Sequence, residues 1–292
     1  MSKYNIICNQ YKNYIGKNSI DHLKQLVEIN KVNNTSIPCI LLGGTQLTGK
    51  STLGKNLAKH YGGGHFYSVG GFFREAAQSI GLTIAEQSRL LRIVQENLDQ
   101  NSVDDALKRL GGRRMDIEMD YKTCEIIAGG DKNSQQLYKY LVIEGRQPAI
   151  MGTLLESLGR EDLIKIYVTC SARERAIRFI SREIGEEYAQ QADKYLSNNY
   201  KSDESLSSLT NEISKLPIPS IKSIAEAFQK NQNRDEDDRK RYIDLYGLDY
   251  EDISYYDICI DTTGNTAETN FKKATEYIDR YDFKNRINKN NM

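Results

Sequence analysis

The sequence carries no excess charge of either sign, since 40 Lys and Arg residues balance 40 Asp and Glu residues. A chain with zero formal net charge has no general attraction to nucleic acid or to anionic lipid. The sequence also lacks an apolar run near the roughly 20 residues that cross a bilayer. Residues 1–12 lack the apolar stretch of a signal peptide. We therefore expect a cytoplasmic protein that binds neither nucleic acid nor membrane.

Cysteine is also sparse, with five residues scattered over the 292 of the chain and no C-x-x-C spacing. This pattern argues against a zinc site and against a disulfide framework, so we expect reduced and mostly buried thiols. Hydrophobic residues make up 39% of the chain and charged residues 27%. That balance is typical of a globular protein, and we expect one large domain or one domain with an appendage.

Five short apolar runs, rich in β-branched and aromatic residues, are separated by longer helical patterns. They cover residues 38–42, 65–69, 140–144, 163–169 and 257–261. Strands alternating with helices predict an α/β fold with a five-stranded parallel sheet that is covered on both faces. Each run leads into polar or glycine residues, and the carboxyl ends of parallel strands share one edge, where ligands bind. We expect the active site at that edge.

Three helices can be placed by their ends. Thr83 and Glu86 have the spacing of a capping box, which predicts a helix from there toward Val94. Residues 171–182 are typical of a helix capped by Ser171. A third helix should cover residues 220–246 and end near Gly247.

Two segments lack strand signals, and we expect both to lie outside the core. Residues 1–36 hold one amphipathic stretch, at 20–32, and end in a polar linker. Residues 186–219 are polar and rich in Asn, Ser and Lys, which favours a mobile lid or an inserted subdomain.

The strongest chemical signal is a glycine-rich loop that directly follows the first predicted strand. Its sequence fits G-x-x-x-x-G-K-[ST], the phosphate loop of nucleoside triphosphate-binding proteins. Two glycines allow a backbone that surrounds polyphosphate with N–H groups, the lysine contacts the β- and γ-phosphates, and the serine hydroxyl binds Mg²⁺. The candidate nucleotide-binding residues are Gly44, Thr45, Gln46, Leu47, Thr48, Gly49, Lys50, Ser51 and Thr52. The loop alone indicates a nucleoside triphosphate with Mg²⁺ and no more, and no N-K-x-D signature of GTPases occurs.

Further motifs make the sequence similar to the cytidylate kinases, a branch of the nucleoside monophosphate kinases, and especially to their short archaeal-type members. Residues 68–74 fit S-V-G-x-x-x-R, residues 144–146 read E-G-R, and residues 234–242 fit R-x-x-x-D-x-x-R-Y. The segment 245–249 and the strand at 256–262 continue the agreement. The resemblance implies a three-layer P-loop kinase fold with helical monophosphate-binding and lid regions.

The resemblance also implies roles for individual residues. On the acceptor side, Ser68, Arg74 and Arg146 would contact the monophosphate, and Asp238 and Arg241 would bind its sugar or phosphate. Lys122 stands where the family has an acceptor-binding arginine; it keeps the positive charge but not the two-pronged fork. Glu144, at a strand tip, would act with Ser51 on Mg²⁺. The residues implied to stabilise the phosphoryl group during its transfer are Lys50, Arg175, Arg178, Arg182 and Arg234.

The sequence thus predicts an appendage at 1–36, a kinase-like domain at 37–285 and a polar tail at 286–292. Within the domain, residues 73–130 would bind the acceptor and residues 183–233 would form the lid or insertion. The expected activity is ATP-dependent phosphoryl transfer to a nucleoside monophosphate, CMP or dCMP, giving the diphosphate and ADP.

Three alternatives stay open. One is a kinase of the same fold for another small acceptor, which the replacement of arginine by Lys122 and of glutamine by Thr123 favours. Another is an ATP-binding regulatory module in which residues 1–36 recruit a protein partner. A nucleic-acid kinase is the third, and the zero net charge argues against it.

Overall fold

The computed structural model describes residues 4–96, 99–110, 115–129, 138–201, 205–281 and 283. Its centre is a five-stranded sheet in the order β2-β3-β1-β4-β5, with every neighbouring pair parallel. The strands are β1 (Cys39–Gly43), β2 (Gly64–Ser68), β3 (Tyr140–Glu144), β4 (Leu163–Thr169) and β5 (Ile258–Asp261). All five lie within one residue of the predicted runs, so the predicted α/β class and parallel sheet are confirmed.

Helices connect and cover the strands. They are α1 (Asn5–Tyr14), α2 (Ser19–Val32), α3 (Lys50–His60), α4 (Val69–Ser79), α5 (Ile84–Glu96), α6 (Gln100–Arg109), α7 (Met115–Ala128), α8 (Pro148–Ser157), α9 (Ala172–Ile184), α10 (Glu186–Asn199), α11 (Leu206–Ser214), α12 (Ile221–Tyr246) and α13 (Ala267–Arg280). Among the described residues, no helix combines the length and the apolar content that a membrane span needs.

The three predicted helix ends are confirmed by their capping contacts. The Thr83 hydroxyl accepts from the Glu86 amide at 3.2 Å, and the Glu86 carboxylate accepts from the Thr83 amide at 2.8 Å, which completes the capping box. The Ser171 side chain accepts from the Glu174 amide at the start of α9. Gly247 ends α12 with φ 67°, the left-handed region that glycine adopts most readily.

Two apolar cores lie on opposite faces of the sheet, because side chains along a strand point alternately to each face. Ile40 and Leu42 belong to the core beneath α3 and α13. Cys39 and Leu41 belong to the larger core on the other face, which α7 and α8 help to cover. The result is the expected three-layer arrangement.

The N-terminal segment does not lie outside the core, so this part of the prediction is wrong. It forms two helices, and Ile7, Tyr11 and Leu23 are fully buried in the larger core. The Gln10 side chain also donates to the carbonyl oxygen of Leu245, at the end of α12. Because α1 and α2 bury apolar side chains against the sheet-covering helices, they are structurally part of the fold.

Residues of the predicted lid or insertion are helical and carry a core of their own. Helices α9, α10, α11 and the first half of α12, here called the α9–α12 bundle, share a separate apolar cluster. Leu196, Leu209 and Ile213 are fully buried in it. The polar composition of this segment reflects its exposed helix faces. Its action as a lid and the proposed domain boundaries stay predictions, and the polar tail at 286–292 lies outside the described residues.

Candidate active site

The phosphate loop joins β1 to α3, the strand-loop-helix context that its sequence predicts. Gly44 and Gly49 have φ values of 131° and 89°, and a Cβ on Gly44 would lie 2.2 Å from the carbonyl oxygen of Val168. Leu47 also has a positive φ, 63°, and its side chain packs against the α9–α12 bundle. The loop therefore has the left-handed backbone and the close approach that a phosphate cradle requires.

Lys50 begins α3 and reaches back across the loop. Its ammonium group donates to the carbonyl oxygen of Thr45. Burial lowers the pKa of Lys50 to about 8, although the charge of Glu144 acts in the opposite direction. The lysine is thus a buried, partly compensated cation beside the loop, and a bound anion would favour its charged form.

A cavity of about 550 Å³ lies beside the loop, at the carboxyl edge of the sheet. Most predicted site residues line it, from both the donor side and the acceptor side. They are Gln46, Leu47, Thr48, Gly49, Lys50, Ser51, Thr52, Ser68, Arg74, Glu144, Arg146, Arg182, Arg234, Asp238 and Arg241. Residues from five separate sequence segments therefore converge on one space.

Asp235 is the main residue of the candidate site that the sequence analysis missed. Its side chain is 6% exposed and pairs with Arg146 at 2.6 Å and with Arg175 at 3.3 Å. The same carboxylate accepts from the backbone amide of Gln46 at 3.3 Å. One acid of α12 thus connects the phosphate loop, the β3 end and α9.

Asp238, one turn further along α12, pairs with arginines that line the cavity. It pairs with Arg146 and, at 3.0 Å, with Arg241; Arg234 approaches it at 3.9 Å. Burial alone would lower the pKa of Arg146, but the charges of Asp238 and Asp235 outweigh it and raise that pKa. Arg146 is consequently held as a fixed cation at the cavity wall.

The predicted arginines of α9 divide into two kinds. Arg175 donates to the Thr45 hydroxyl at 3.1 Å. Arg178 donates to the carbonyl oxygen of Leu47 and to both the hydroxyl and the carbonyl oxygen of Thr262, at 2.9–3.3 Å. Both therefore brace the loop. Arg182 differs, because its side chain is 55% exposed at the cavity rim and pairs with its neighbour Glu183.

Glu144 and Ser68 end adjacent strands in register, and this explains their contact. The Ser68 hydroxyl donates to the Glu144 carboxylate at 2.6 Å. Ser51, in the first turn of α3, lines the same cavity. A hydroxyl and a carboxylate are oxygen ligands of the kind that Mg²⁺ prefers, so these residues fit a magnesium ion that arrives with nucleotide.

Gln87, Gln147 and Tyr242 also line the cavity and were not predicted. All three are nearly fully buried, at 1%, 2% and 2% exposure. Tyr242 directly follows Arg241 in the R-x-x-x-D-x-x-R-Y motif, and Gln147 directly follows the E-G-R motif. For Gln147 and Tyr242, the position beside a motif arginine was the available signal.

Five predicted site residues do not line the cavity. Gly44 and Thr45 belong to the phosphate loop beside it, and Arg175 and Arg178 contact that loop. Lys122 alone among the five has neither place. Its side chain is exposed on α7 and does not contribute to the cavity wall. The neighbouring positions Asp120 and Thr123 are fully buried, so Lys122 lies on the outer face of the same helix. The expected contact between Lys122 and the acceptor phosphate therefore has no support in this geometry.

Curated proteins with similar sequences are cytidylate kinases, the family that the motifs indicate. The chain is 27% identical to the cytidylate kinase of Thermococcus kodakarensis over 226 residues, which cover 76% of this chain and 78% of that protein. It is 27% identical to the cytidylate kinase of Pyrococcus abyssi, covering 82% and 93% of the two chains. For the cytidylate kinase of Methanocaldococcus jannaschii the identity is 26%, with 82% and 97% covered. The chain is similar to the cytidylate kinases over most of its length.

Two further comparisons add little to that resemblance. No family model matches the chain. A solved structure of an uncharacterized protein from Eubacterium ventriosum aligns with a TM-score of 0.43 and 15% identity, covering 83% of this chain and 98% of that one; a score of this size carries no argument. The resemblance that the motifs predict is confirmed by the curated relatives.

Proposed function

We propose that the protein is a nucleoside monophosphate kinase that transfers the γ-phosphoryl group of ATP to CMP or dCMP, giving ADP and the nucleoside diphosphate. The supporting observation is the cavity, which is lined by the phosphate loop together with Arg74, Arg146 and Arg241. A donor and an acceptor phosphate would meet in this cavity. The curated relatives, all named cytidylate kinases, support CMP as the acceptor.

Catalysis of this kind needs little covalent chemistry from the protein, because phosphoryl transfer is promoted mainly by alignment and by charge compensation. Lys50 and the loop amides would hold the donor phosphates. Arg146 and Arg241, fixed by Asp238, would hold the acceptor phosphate against the repulsion of the donor. Arg182, exposed at the rim, has the freedom to turn toward the transferred group.

Magnesium bound by the nucleotide would neutralise charge on the donor phosphates, and Ser51 and Glu144 are the residues placed to hold it. Glu144 already accepts a hydrogen bond from Ser68, which fixes the orientation of its carboxylate. This hydrogen bond also links the acid predicted to act on the metal with Ser68, a residue predicted to contact the acceptor.

The test is ADP release from Mg·ATP, measured by a coupled assay over a panel of ribonucleoside and deoxyribonucleoside monophosphates, with Lys50→Ala as the blank. Turnover with CMP or dCMP well above that with UMP, AMP or GMP is the expected result. Turnover with a different acceptor would replace the proposal by a kinase of other specificity. ATP binding without any acceptor-dependent turnover would overturn it in favour of the regulatory module.

A further inference from the structure

A buried carboxylate, Asp120 of α7, lies directly behind the acceptor wall. It is fully buried and accepts from Gln147 at 2.7 Å, from Tyr242 at 3.0 Å and from Tyr246 at 2.7 Å. Among the described residues it forms no ion pair, so three neutral donors satisfy it. A buried acid without a cation is costly to a fold. The cost of burying Asp120 therefore indicates a role other than packing.

Each of two donors is the chain neighbour of an acceptor-side arginine. Gln147 directly follows Arg146, and Tyr242 directly follows Arg241. Both donors line the cavity themselves. Asp120 therefore connects, through one carboxylate, the loop that carries Arg146 and the helix that carries Arg241. We expect a change in these hydrogen bonds to shift the backbone that carries both arginines.

The third donor extends this cluster to the N-terminal helix. Tyr246 lies one turn beyond Tyr242 on α12, and its ring packs against Tyr11 of α1 with centroids 6.5 Å apart. Tyr11 also meets Tyr121 of α7, with centroids 5.2 Å apart, and donates to the sulfur of Met151 in α8 at 3.0 Å. Helix α1 thus contacts α7, which carries Asp120, and also α8 and α12, which pack beside it.

We propose that Asp120 is a positioning residue for the acceptor half of the site, and that α1, through Tyr11 and Tyr246, holds its hydrogen-bonding cluster in place. On this view α1 is a working part of the acceptor site and not a separate module. The inference rests on the proposed kinase function. It assigns no substrate contact to Asp120, Tyr246 or Tyr11.

The decisive variant is Tyr246→Phe, which removes one oxygen and one donor to Asp120 and keeps the ring. Its matched control is Tyr140→Phe, because Tyr140 is also fully buried and its hydroxyl donates to the carbonyl oxygen of Leu57, in the core of the opposite sheet face. Both variants lose one buried hydroxyl. Only the first touches the Asp120 cluster.

The measurement is a full kinetic analysis in both substrates, together with the Tm of each variant. For Tyr246→Phe we expect the KM for the monophosphate to rise about five-fold, as for the loss of one buried hydrogen bond, with the KM for ATP unchanged. Asp120→Asn and Tyr11→Leu should give the same split. Tyr140→Phe should lower the Tm and leave both KM values unchanged.

A purely structural role would lower the Tm without separating the two KM values. An unchanged monophosphate KM in a folded Tyr246→Phe variant, or an equal rise in both KM values, overturns the inference while leaving the kinase function intact. Should Asp120→Asn not fold, Tyr246→Phe decides the question alone. Absence of turnover in the wild-type protein is a different result, since it overturns the proposed function and this inference with it.

Discussion

Replacing Asp235 with asparagine should weaken the fold and strengthen the binding of pyrophosphate. Asp235 is the shared counterion of Arg146 and Arg175. Removing one partner of a buried ion pair costs about 3–5 kcal/mol, because the other charge stays buried. Since Arg146 keeps Asp238 as a second partner, we expect a loss near the lower bound, about 3 kcal/mol of unfolding free energy.

Thermal unfolding provides the assay. One kcal/mol corresponds to about 2–4 °C for chains of comparable size, so the Tm should fall by about 6–12 °C. Glu236→Gln is the matched control, because it removes the same charge from an exposed position of the same helix. Its effect should stay within about 0.5 kcal/mol.

Pyrophosphate then tests the charge argument directly. The Asp235→Asn variant leaves two arginines and the Gln46 amide with one anion fewer, so pyrophosphate should raise its Tm by more than it raises the Tm of the wild type. A Tm within about 2 °C of the wild type refutes the assigned role of Asp235 as counterion. An equal pyrophosphate shift in the two proteins refutes the view that Asp235 balances the charge of a phosphate site.

Three further predictions follow from buried groups. Lys50→Met should abolish turnover and raise the unfolding free energy at neutral pH by about 1–3 kcal/mol, because burial lowers the pKa of Lys50 to about 8. This gain in stability should shrink as the pH rises from about 8 to 10.5, the ordinary pKa of lysine. The measurement is urea unfolding over this pH range, and a gain that does not change with pH contradicts the prediction. Burial raises the pKa of Asp120 to about 7, so the folded state holds the proton more tightly than the unfolded state. The wild type should therefore lose stability relative to Asp120→Asn as the pH rises from about 4 to about 7. Urea unfolding of both proteins at several pH values measures this, and a difference in unfolding free energy that stays constant would argue against it. Gly44→Ala should cost about 2 kcal/mol or more, since its Cβ would lie 2.2 Å from the Val168 carbonyl oxygen; calorimetry with and without ATP checks both the stability and the loss of nucleotide binding.

The sheet and the phosphate loop could be predicted from sequence because local chemistry determines them. Fully buried parallel strands need continuous apolar runs, and the loop needs glycine at two fixed positions. The capping contacts of Thr83 and Ser171 are local as well. For such features, the residues within a few positions carry the whole signal.

Helix α1 and Asp235 could not be predicted, and the reasons differ. Residues 5–14 include five Asn, Gln or Lys residues, so the burial of Ile7 and Tyr11 depends on partners far along the chain. Asp235 lies in the run 234–241, where every residue is charged. Periodicity cannot indicate the buried face of a helix when apolar and polar positions do not alternate. Lys122 was misplaced because a motif position was transferred without knowledge of the face it occupies.

The strained conformation of Leu47 has a consequence for how the protein takes up nucleotide. A non-glycine residue in the left-handed region costs roughly 1 kcal/mol, and the packing of the Leu47 side chain against the α9–α12 bundle offsets this cost. If the bundle moved away, the loop would lose the contact that holds its shape. Binding of polyphosphate and docking of the bundle are then thermodynamically linked, and each should strengthen the other by the same factor. The empty loop with a displaced bundle would be a low-affinity state, and nucleotide would select the docked one.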